Sequence, residues 1–142
     1  MEFAVKNFSE LDTYELYDIL AARARIFTVE KGMRCLDPDG MDKDALHCIL
    51  KDGGDLAGYI RALPSEDGIR IGRVITLTHG MGHGRMLMDS AVRYFKDAGY
   101  EIIYVHAQHD AVGFYEKMGF TLTSGEFIEE GVVHFAMELK LN

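Results

Sequence analysis

The stretch THGMGHGRMLMDSAVRYF, residues 78–95, decides the fold that we expect. Gly80, Gly82 and Gly84 alternate with bulky residues and lead into a segment with the apolar spacing of an amphipathic helix. The first N–H groups of a helix have no internal partner and carry partial positive charge, and glycines let a ligand come close to them. The stretch therefore predicts an anion site for a phosphate or pyrophosphate. The alternative is a flexible turn without a ligand.

Two familiar phosphate-binding loops do not match this turn. A P-loop requires a lysine after its last glycine, where this chain has Arg85. A dinucleotide-binding fingerprint has the spacing GxGxxG between parallel strands. Here the third glycine comes one residue early, and the strands before it have the pattern of an antiparallel meander.

Periodicity and turn residues predict the other elements and a mixed α/β fold with at least one parallel crossover. Ser9 or Asp12 is expected to cap the first helix, and Gly99 to end the helix that follows the glycine turn. In that helix one apolar stripe is predicted, formed by Leu87, Ala91, Tyr94, Phe95 and Ala98. In chain order we expect one or two helices over 9–31, an acidic loop over 33–44, a meander of ALHCILK, LAGYIRAL and IRIGRVITL, a helix over 83–98, the central strand EIIYVHA covered on both faces, a short helix over 109–117 and a closing hairpin.

Composition limits the function classes. The 142 residues suit one domain over 1–142, and 48% are hydrophobic. The net charge of −8 disfavours nucleic-acid binding and is compatible with a cationic substrate such as an amine. No secretory signal and no apolar run long enough for a membrane is seen, so we expect a cytoplasmic protein. In that compartment Cys35 and Cys48 are expected to be free thiols.

Two motifs carry a resemblance to the GCN5-related N-acetyltransferase (GNAT) superfamily. The segment His79–Gly84 occupies the family's [Gln/Arg]-x-x-Gly-x-[Gly/Ala] turn, with histidine in the first position. The segment AVGFYEKMGF, residues 111–120, matches a downstream signature with Tyr115 at its centre. The chain is most similar to the ElaA-like branch, through RIFTVEKG, LDPDGMD and FIEEGVVHFAM.

The resemblance implies a fold and a donor. The fold is a mostly antiparallel sheet of six to seven strands, with helices on both faces and a splayed parallel pair. The donor is acetyl-CoA, whose pyrophosphate would be held by backbone N–H groups of the glycine turn and whose pantetheine arm would pair with the preceding strand. The residues implied for donor binding are Val74, Ile75, Thr76, His79, Gly80, Met81, Gly82, His83, Gly84, Arg85, Gln108 and Phe114.

The implied reaction is direct attack of an amine on the thioester. The resemblance makes Tyr115 the general acid for the departing thiolate, and a strand amide near Thr76 would stabilise the oxyanion. Glu30 is our first choice as the base that takes the amine proton. The alternatives for the base are His47, His106, Gln108, His134 and water.

Several alternatives stay open at this point. The chain could be a non-catalytic acyl-CoA-binding module, or a regulator that binds a nucleotide at the same turn. The acceptor, a small molecule or an exposed protein amine, is expected to meet residues 23–44 and 124–131. A homodimer is expected to use Met33, Met41 and the last strands. No metal is expected, because neither the acidic loop nor the six histidines have the spacing of a known site.

Overall fold

The computed structural model describes residues 1–142, and its strands form one seven-stranded sheet. The strands are β1 (Glu2–Asn7), β2 (Leu46–Asp52), β3 (Asp55–Pro64), β4 (Ile69–Thr76), β5 (Ile102–Gln108), β6 (Thr121–Glu129) and β7 (Val132–Lys140). The α-helices are α1 (Thr13–Arg23), α2 (His83–Asp97) and α3 (Val112–Lys117). A π-helical segment, Ala24–Glu30, continues α1, and short 3₁₀ turns lie at Phe8–Glu10, Met41–Asp44 and His109–Ala111.

The sheet contains one parallel contact, between β4 and β5. The strand order is β1-β2-β3-β4-β5-β7-β6, and every other neighbouring pair is antiparallel. The parallel pairing joins Ile69–Ile71 to Ile103–Val105 and stops there, although β4 continues to Thr76 and β5 to Gln108. The two strands therefore diverge beyond Ile71. This confirms the predicted fold class, including its splayed parallel pair.

Helices cover both faces of the sheet. On one face, α2 buries Leu87, Met88, Ala91 and Phe95 in the larger core cluster. On the other, Ile19 and its neighbours on α1 pack against the smaller cluster of the sheet. The Asp12 side chain accepts a hydrogen bond from the Glu15 N–H at 2.7 Å, so Asp12 is the predicted cap of α1.

Three details of the sequence prediction are wrong. The strand β1 was not predicted, because Phe3 and Val5 give only two apolar positions of a short, half-buried edge strand. Tyr94 and Ala98 of the predicted stripe are exposed, and Met88 is buried instead. The strand β5 is not covered on both faces: Ile103, Val105 and Ala107 are buried, whereas the residues between them are half-buried, because that face borders a cleft.

A bulge in β4 changes which face its side chains point to. Tyr59 pairs with Ile75 and Arg61 with Gly72, so β4 has one residue more than β3 over this span. As a result Ile71 joins the core under α2, whereas Ile75 joins the core under α1. Arg73 lies in the bulge with φ of +50°, a conformation that is strained for a residue with a Cβ.

An arginine–aspartate network, which we call the ion cluster, ties the acidic loop to the sheet and α1. Its members are Arg23, Arg61, Arg73, Asp37, Asp39 and Asp42. Arg23 is fully buried, and its guanidinium lies 2.9 Å from Asp37 Oδ2 and 2.7 Å from Asp42 Oδ1. Because burial of an unpaired charge is very costly, this guanidinium requires both carboxylates.

The other two arginines come from the sheet. Arg61 forms a bidentate salt bridge with Asp39, in which Nη1 and Nη2 donate to the two carboxylate oxygens at 2.7 and 2.9 Å. Arg73 donates from Nε to Asp37 Oδ1 at 2.8 Å and from Nη2 to the Asp37 carbonyl at 2.9 Å. These bonds hold the left-handed conformation of Arg73 in place and fix the loop that sequence analysis predicted only as acidic.

Replacing Arg23 tests the ion cluster. In Arg23→Met, Asp37 and Asp42 lose a buried partner, so we expect the free energy of unfolding to fall by about 3–5 kcal/mol, measured by urea denaturation. The control is Arg25→Met, which breaks an exposed pair with Glu30 at 3.2 Å and should cost no more than about 1 kcal/mol. Equal effects of the two substitutions would contradict a structural role for the cluster.

The cluster also makes stability depend on acid pH. Burial tends to raise the pKa of Asp39, but its hydrogen bonds with Arg61 and the Met41 N–H outweigh this and lower the pKa to about 2. The stabilisation is present above the ordinary aspartate pKa of about 3.9 and is lost as pH falls through the lower folded value. We expect the urea midpoint to fall between about pH 5 and pH 2. In Asp39→Asn this fall should be shallower, whereas Asp44→Asn, an exposed neighbour, should keep the wild-type slope.

Candidate active site

A cleft of about 460 Å³ opens where β4 and β5 diverge. Phe27 of the π-helical segment and Leu36 of the acidic loop contribute one wall. Val74 and Ala107 line it from the two diverging strands, and Glu129 from the end of β6. Since the lining includes residues from both faces of the sheet, the cleft passes through the sheet at the gap between β4 and β5.

The edge of β4 facing the cleft has free backbone groups. From Gly72 to Thr76, β4 pairs with β3 on one side and has no partner in β5 on the other. Backbone N–H and C=O groups need a partner, so an extended ligand with amide groups could pair with this edge. Of the residues predicted to line the donor's arm, Val74 faces the cleft, whereas Ile75 is buried in the core under α1.

The glycine turn lies beside the cleft and outside its lining. Gly80 and Gly82 have φ of +77° and +73°, and Gly82 is the N-cap of α2. A Cβ built on either glycine meets nothing within 4 Å, so open space lies in front of both. A Cβ on Gly84 would lie 3.5 Å from the Phe114 ring and 3.9 Å from Thr76 Cγ2, which places the start of α2 next to α3 and the end of β4.

The side chains of the turn differ in exposure. His79, Met81 and Arg85 are exposed, and Arg85 makes only a 3.7 Å contact with Asp89 one turn along α2. His83 is buried, and its Nδ1 atom has no hydrogen-bond partner. The turn thus combines the exposed cationic side chain of Arg85 with the free N–H groups at the start of a 15-residue helix.

Tyr115 lines the cleft from α3. It is 5% exposed, and its ring packs edge-on against Phe114 and Phe120, each at 5.3 Å between centroids. Burial raises the pKa of the Tyr115 phenol above its ordinary range, so the group stays protonated at any working pH. The residue is therefore a hydrogen-bond donor held rigidly at the wall of the cleft.

Two of the candidate bases lie away from the cleft. Glu30 is outside the lining, and its carboxylate pairs with Arg25. His47 is buried, with one ring nitrogen 2.6 Å from the Tyr59 hydroxyl and the other 2.8 Å from the Asp42 carbonyl. Burial lowers the pKa of His47, and both its nitrogens are occupied, so it supports the structure of the ion cluster.

The remaining candidates lie in the cleft. His106 and His134 both line it, next to Glu129, which sequence analysis did not single out. The only signal for Glu129 was its place before Glu130 and Gly131, where a tight turn is expected. Gln108 also lines the cleft, and accepts a hydrogen bond from Lys31 at 3.0 Å.

Other expectations concern thiols, methionines and metals. Cys35 and Cys48 are free, as predicted, and burial raises the pKa of Cys48 to about 12. Met33 and Met41, predicted to lie in a dimer contact, line the cleft. No group of three or more His, Cys, Asp or Glu side chains is arranged to hold a metal ion. None of the helices combines the length and apolar character required to span a membrane.

Comparisons with known proteins agree with this architecture. Residues 28–141 match the family model described as an acetyltransferase (GNAT) domain. A UPF0039 protein of Schizosaccharomyces pombe is 33% identical, with 99% of this chain and 98% of that protein covered. Protein ElaA of Escherichia coli is 30% identical, and its crystal structure superposes with a TM-score of 0.88 over 96% of this chain and 97% of that one. An acyl-CoA N-acyltransferase from Pseudomonas aeruginosa, 27% identical, also gives 0.88, covering 97% and 99% of the two chains.

Proposed function

Because the chain belongs to the GNAT acetyltransferase family and its ElaA-like branch, we propose that it is an N-acetyltransferase that moves the acetyl group of acetyl-CoA to a primary amine. The observation that carries the proposal is the divergence of β4 and β5, which leaves an unpaired β4 edge between the glycine turn and Tyr115. We further expect one domain over 1–142 and a cytoplasmic location. The net charge of −8 suits a cationic acceptor.

The donor would lie along β4 with its pyrophosphate at the glycine turn. The N–H groups from Met81 to Arg85 would hold the pyrophosphate, because the space in front of Gly80 and Gly82 is open and no Cβ of these two residues blocks an anion. The amides of the pantetheine arm would pair with Val74, Ile75 and Thr76. Gln108 and Phe114 would border the arm from β5 and α3, and the side chains of His79, His83 and Arg85 would add donors around the phosphates.

The reaction transfers one acyl group and releases one proton overall. The acceptor ammonium gives a proton to a base, and the neutral nitrogen then attacks the thioester carbon. The new C–N bond forms, the C–S bond breaks, and the electron pair of that bond leaves on sulfur. The nitrogen loses its second proton, and the thiolate becomes a thiol.

Tyr115 would act on the departing sulfur. An ordinary thiol has a pKa of about 8.5 and an ordinary phenol about 10, so complete transfer of the phenol proton is uphill by roughly 2 kcal/mol or more. The raised pKa of Tyr115 increases this difference. The phenol therefore stabilises the developing thiolate mainly by donating a hydrogen bond while the C–S bond breaks, and the final proton comes from solvent.

Thermal unfolding with acetyl-CoA tests the donor site. At 100 times its dissociation constant a ligand stabilises by about 2.7 kcal/mol, which raises Tm by several degrees in a chain of this size. We expect this shift with acetyl-CoA and not with ATP or NAD, which separates the proposal from a nucleotide-binding regulator. Gly82→Ala should lose the shift, because its Cβ would point into the space assigned to the pyrophosphate.

The control for Gly82→Ala is Gly53→Ala in the turn between β2 and β3. Gly53 also has a positive φ, of +59°, and nothing within 4 Å of a Cβ, so both variants carry similar backbone strain of about 1–2 kcal/mol. Gly53→Ala should keep the full acetyl-CoA shift. A sample free of bound CoA that shows no shift with any CoA ester would contradict the donor site.

Tyr115→Phe separates an enzyme from a non-catalytic acyl-CoA-binding module. The phenyl ring keeps the packing against Phe114 and Phe120, so the acetyl-CoA-induced Tm shift should persist. The release of CoA thiol in the presence of primary amines should fall by about 10²-fold, the lower range for loss of a hydrogen-bond donor to developing negative charge. Tyr94→Phe, on the exposed face of α2, should retain wild-type release. Unchanged release in Tyr115→Phe would remove the assigned role.

A further inference from the structure

Three side chains from three strands meet at the open face of β5. His106 of β5 lies with Nδ1 2.8 Å from Oε1 of Glu129, at the end of β6. His134 of β7 places Nε2 3.8 Å from the other carboxylate oxygen of Glu129. All three residues line the cleft that also contains Tyr115. None of these contacts is needed by the donor site described above.

The partner of His106 determines which ring nitrogen carries the proton. An ionised carboxylate can only accept a hydrogen bond, so the 2.8 Å contact requires a proton on Nδ1 of His106. In the neutral ring, Nε2 then holds the free lone pair. This is the tautomer in which a histidine can take a proton from a substrate while a carboxylate holds its other nitrogen.

The ring of His106 is also fixed by packing. Phe127 lies edge-on to it at 5.1 Å between centroids, and the same phenyl ring stacks on His134 at 6.1 Å. The His106 side chain keeps 34% of its surface exposed, so the ring remains accessible from the cleft. A rigid but accessible imidazole is what proton transfer to a bound substrate requires.

The strand geometry puts His106 and Tyr115 on opposite sides of the divergence. The neighbours of His106 along the strand, Val105 and Ala107, belong to the same core cluster as Tyr115. Side chains alternate along a strand, so His106 points to the other face, where the π-helical segment and the acidic loop form the cleft wall. A thioester lying in the divergence would have Tyr115 on one side and His106 on the other.

We propose that His106 is the general base of the acetyl transfer and that Glu129 is its positioning residue. This inference rests on the proposed function. Nε2 of His106 accepts a proton from the acceptor ammonium, the freed nitrogen attacks the thioester carbon, and the C–S bond breaks with its electron pair on sulfur. The nitrogen gives its second proton to solvent, the thiolate takes one proton from solvent, and His106 returns its proton to solvent, so that one proton is released overall. The assignment replaces Glu30, which lies outside the cleft and pairs with Arg25.

His134 is not the base in this arrangement. Its Nδ1 donates to the Val132 carbonyl at 2.8 Å, and its Nε2 lies 3.8 Å from Glu129 Oε2. The residue is only 4% exposed, so a substrate amine cannot reach that nitrogen. The other charged side chains that line the cleft outside the ion cluster are Lys31, Arg70 and Glu130. Lys31 is bonded to Gln108, and arginine stays protonated at working pH. Neither Lys31 nor Arg70 can serve as a base. Glu130 is exposed on the turn after β6, where no hydrogen bond or ion pair orients its carboxylate.

The test compares His106→Ala with His109→Ala, an exposed histidine next to the cleft and outside its lining. The assay follows thiol release from acetyl-CoA in water and with ethylamine, spermidine and a lysine-containing peptide. In His106→Ala we expect kcat to fall by about 10²–10³-fold, with the KM for acetyl-CoA nearly unchanged and partial rescue by added imidazole. His109→Ala should match the wild type. An active wild type whose rate is unaffected by His106→Ala would overturn the inference and leave the proposed function standing.

Glu129→Gln tests the positioning role. We expect kcat to fall about tenfold or more without a change in the KM for acetyl-CoA, whereas Glu101→Gln, exposed just before β5 and outside the cleft, should have no effect. The imidazole ¹⁵N shifts of His106 give a readout that needs no acceptor. They should show the proton on Nδ1 in the wild type and a mixture of tautomers in Glu129→Gln.

The outcomes separate the two proposals. If the ¹⁵N shifts of the wild-type protein place the proton of neutral His106 on Nε2, the inference is overturned, whether or not the protein is active. A wild type that releases no thiol with any acceptor, and whose Tm acetyl-CoA does not shift, would overturn the proposed function and this inference together. A wild-type Tm shift without thiol release would favour the acyl-CoA-binding module and would also exclude a base.

Discussion

The guanidinium of Arg23 is the group on which the arrangement of the cleft depends. It is fully buried at the end of α1, and Asp37 and Asp42 are drawn to it because an unpaired charge at that position would be very unfavourable. Those two aspartates fix the middle and the last part of the acidic loop, and Asp37 in turn holds Arg73 in the left-handed conformation of the β4 bulge. The ion cluster contains three arginines and three aspartates, so its formal charges cancel. The net charge of the cleft is therefore set by the other residues that line it.

The bulge and the loop explain why a cleft forms at this point of the sheet. The extra residue at Arg73 shifts the alternation of side chains along β4, so that Ile71 and Ile75 point to opposite faces of the sheet and belong to different core clusters. After Ile71 the strand can no longer follow β5, and the acidic loop forms a wall above the gap. The π-helical segment that follows Arg23 contributes Phe27 to the same wall. Rare helix geometry, a strained bulge residue and a buried ionic network thus occur together, as is common at functional sites.

The sequence predicted those features that depend on local pattern. The glycine turn, the amphipathic α2 and the hairpin at Gly53 each follow from spacing or turn chemistry and are present. The parallel splay came from the resemblance to a family. Contacts between distant segments could not be predicted: the partners of Asp37 lie 14 and 36 residues away, and Glu129 lies 23 residues from His106. Glu30 was chosen as base from its position in the chain, and only the packed structure shows that it lies outside the cleft lining and pairs with Arg25.

The short parallel ladder between β4 and β5 has a consequence for how the molecule moves. β1 to β4 form one antiparallel unit and β5 to β7 another, and the sheet joins them only through Ile69–Ile71 and Ile103–Val105. Local opening is easiest where few hydrogen bonds must break, and this seam is the shortest ladder in the sheet. A ligand that pairs with the backbone of Gly72–Thr76 would continue the hydrogen bonding of β4 beyond Ile71, where β5 no longer pairs with it. The relative motion of the β1–β4 unit and the β5–β7 unit would then be restricted only while a ligand is bound between them.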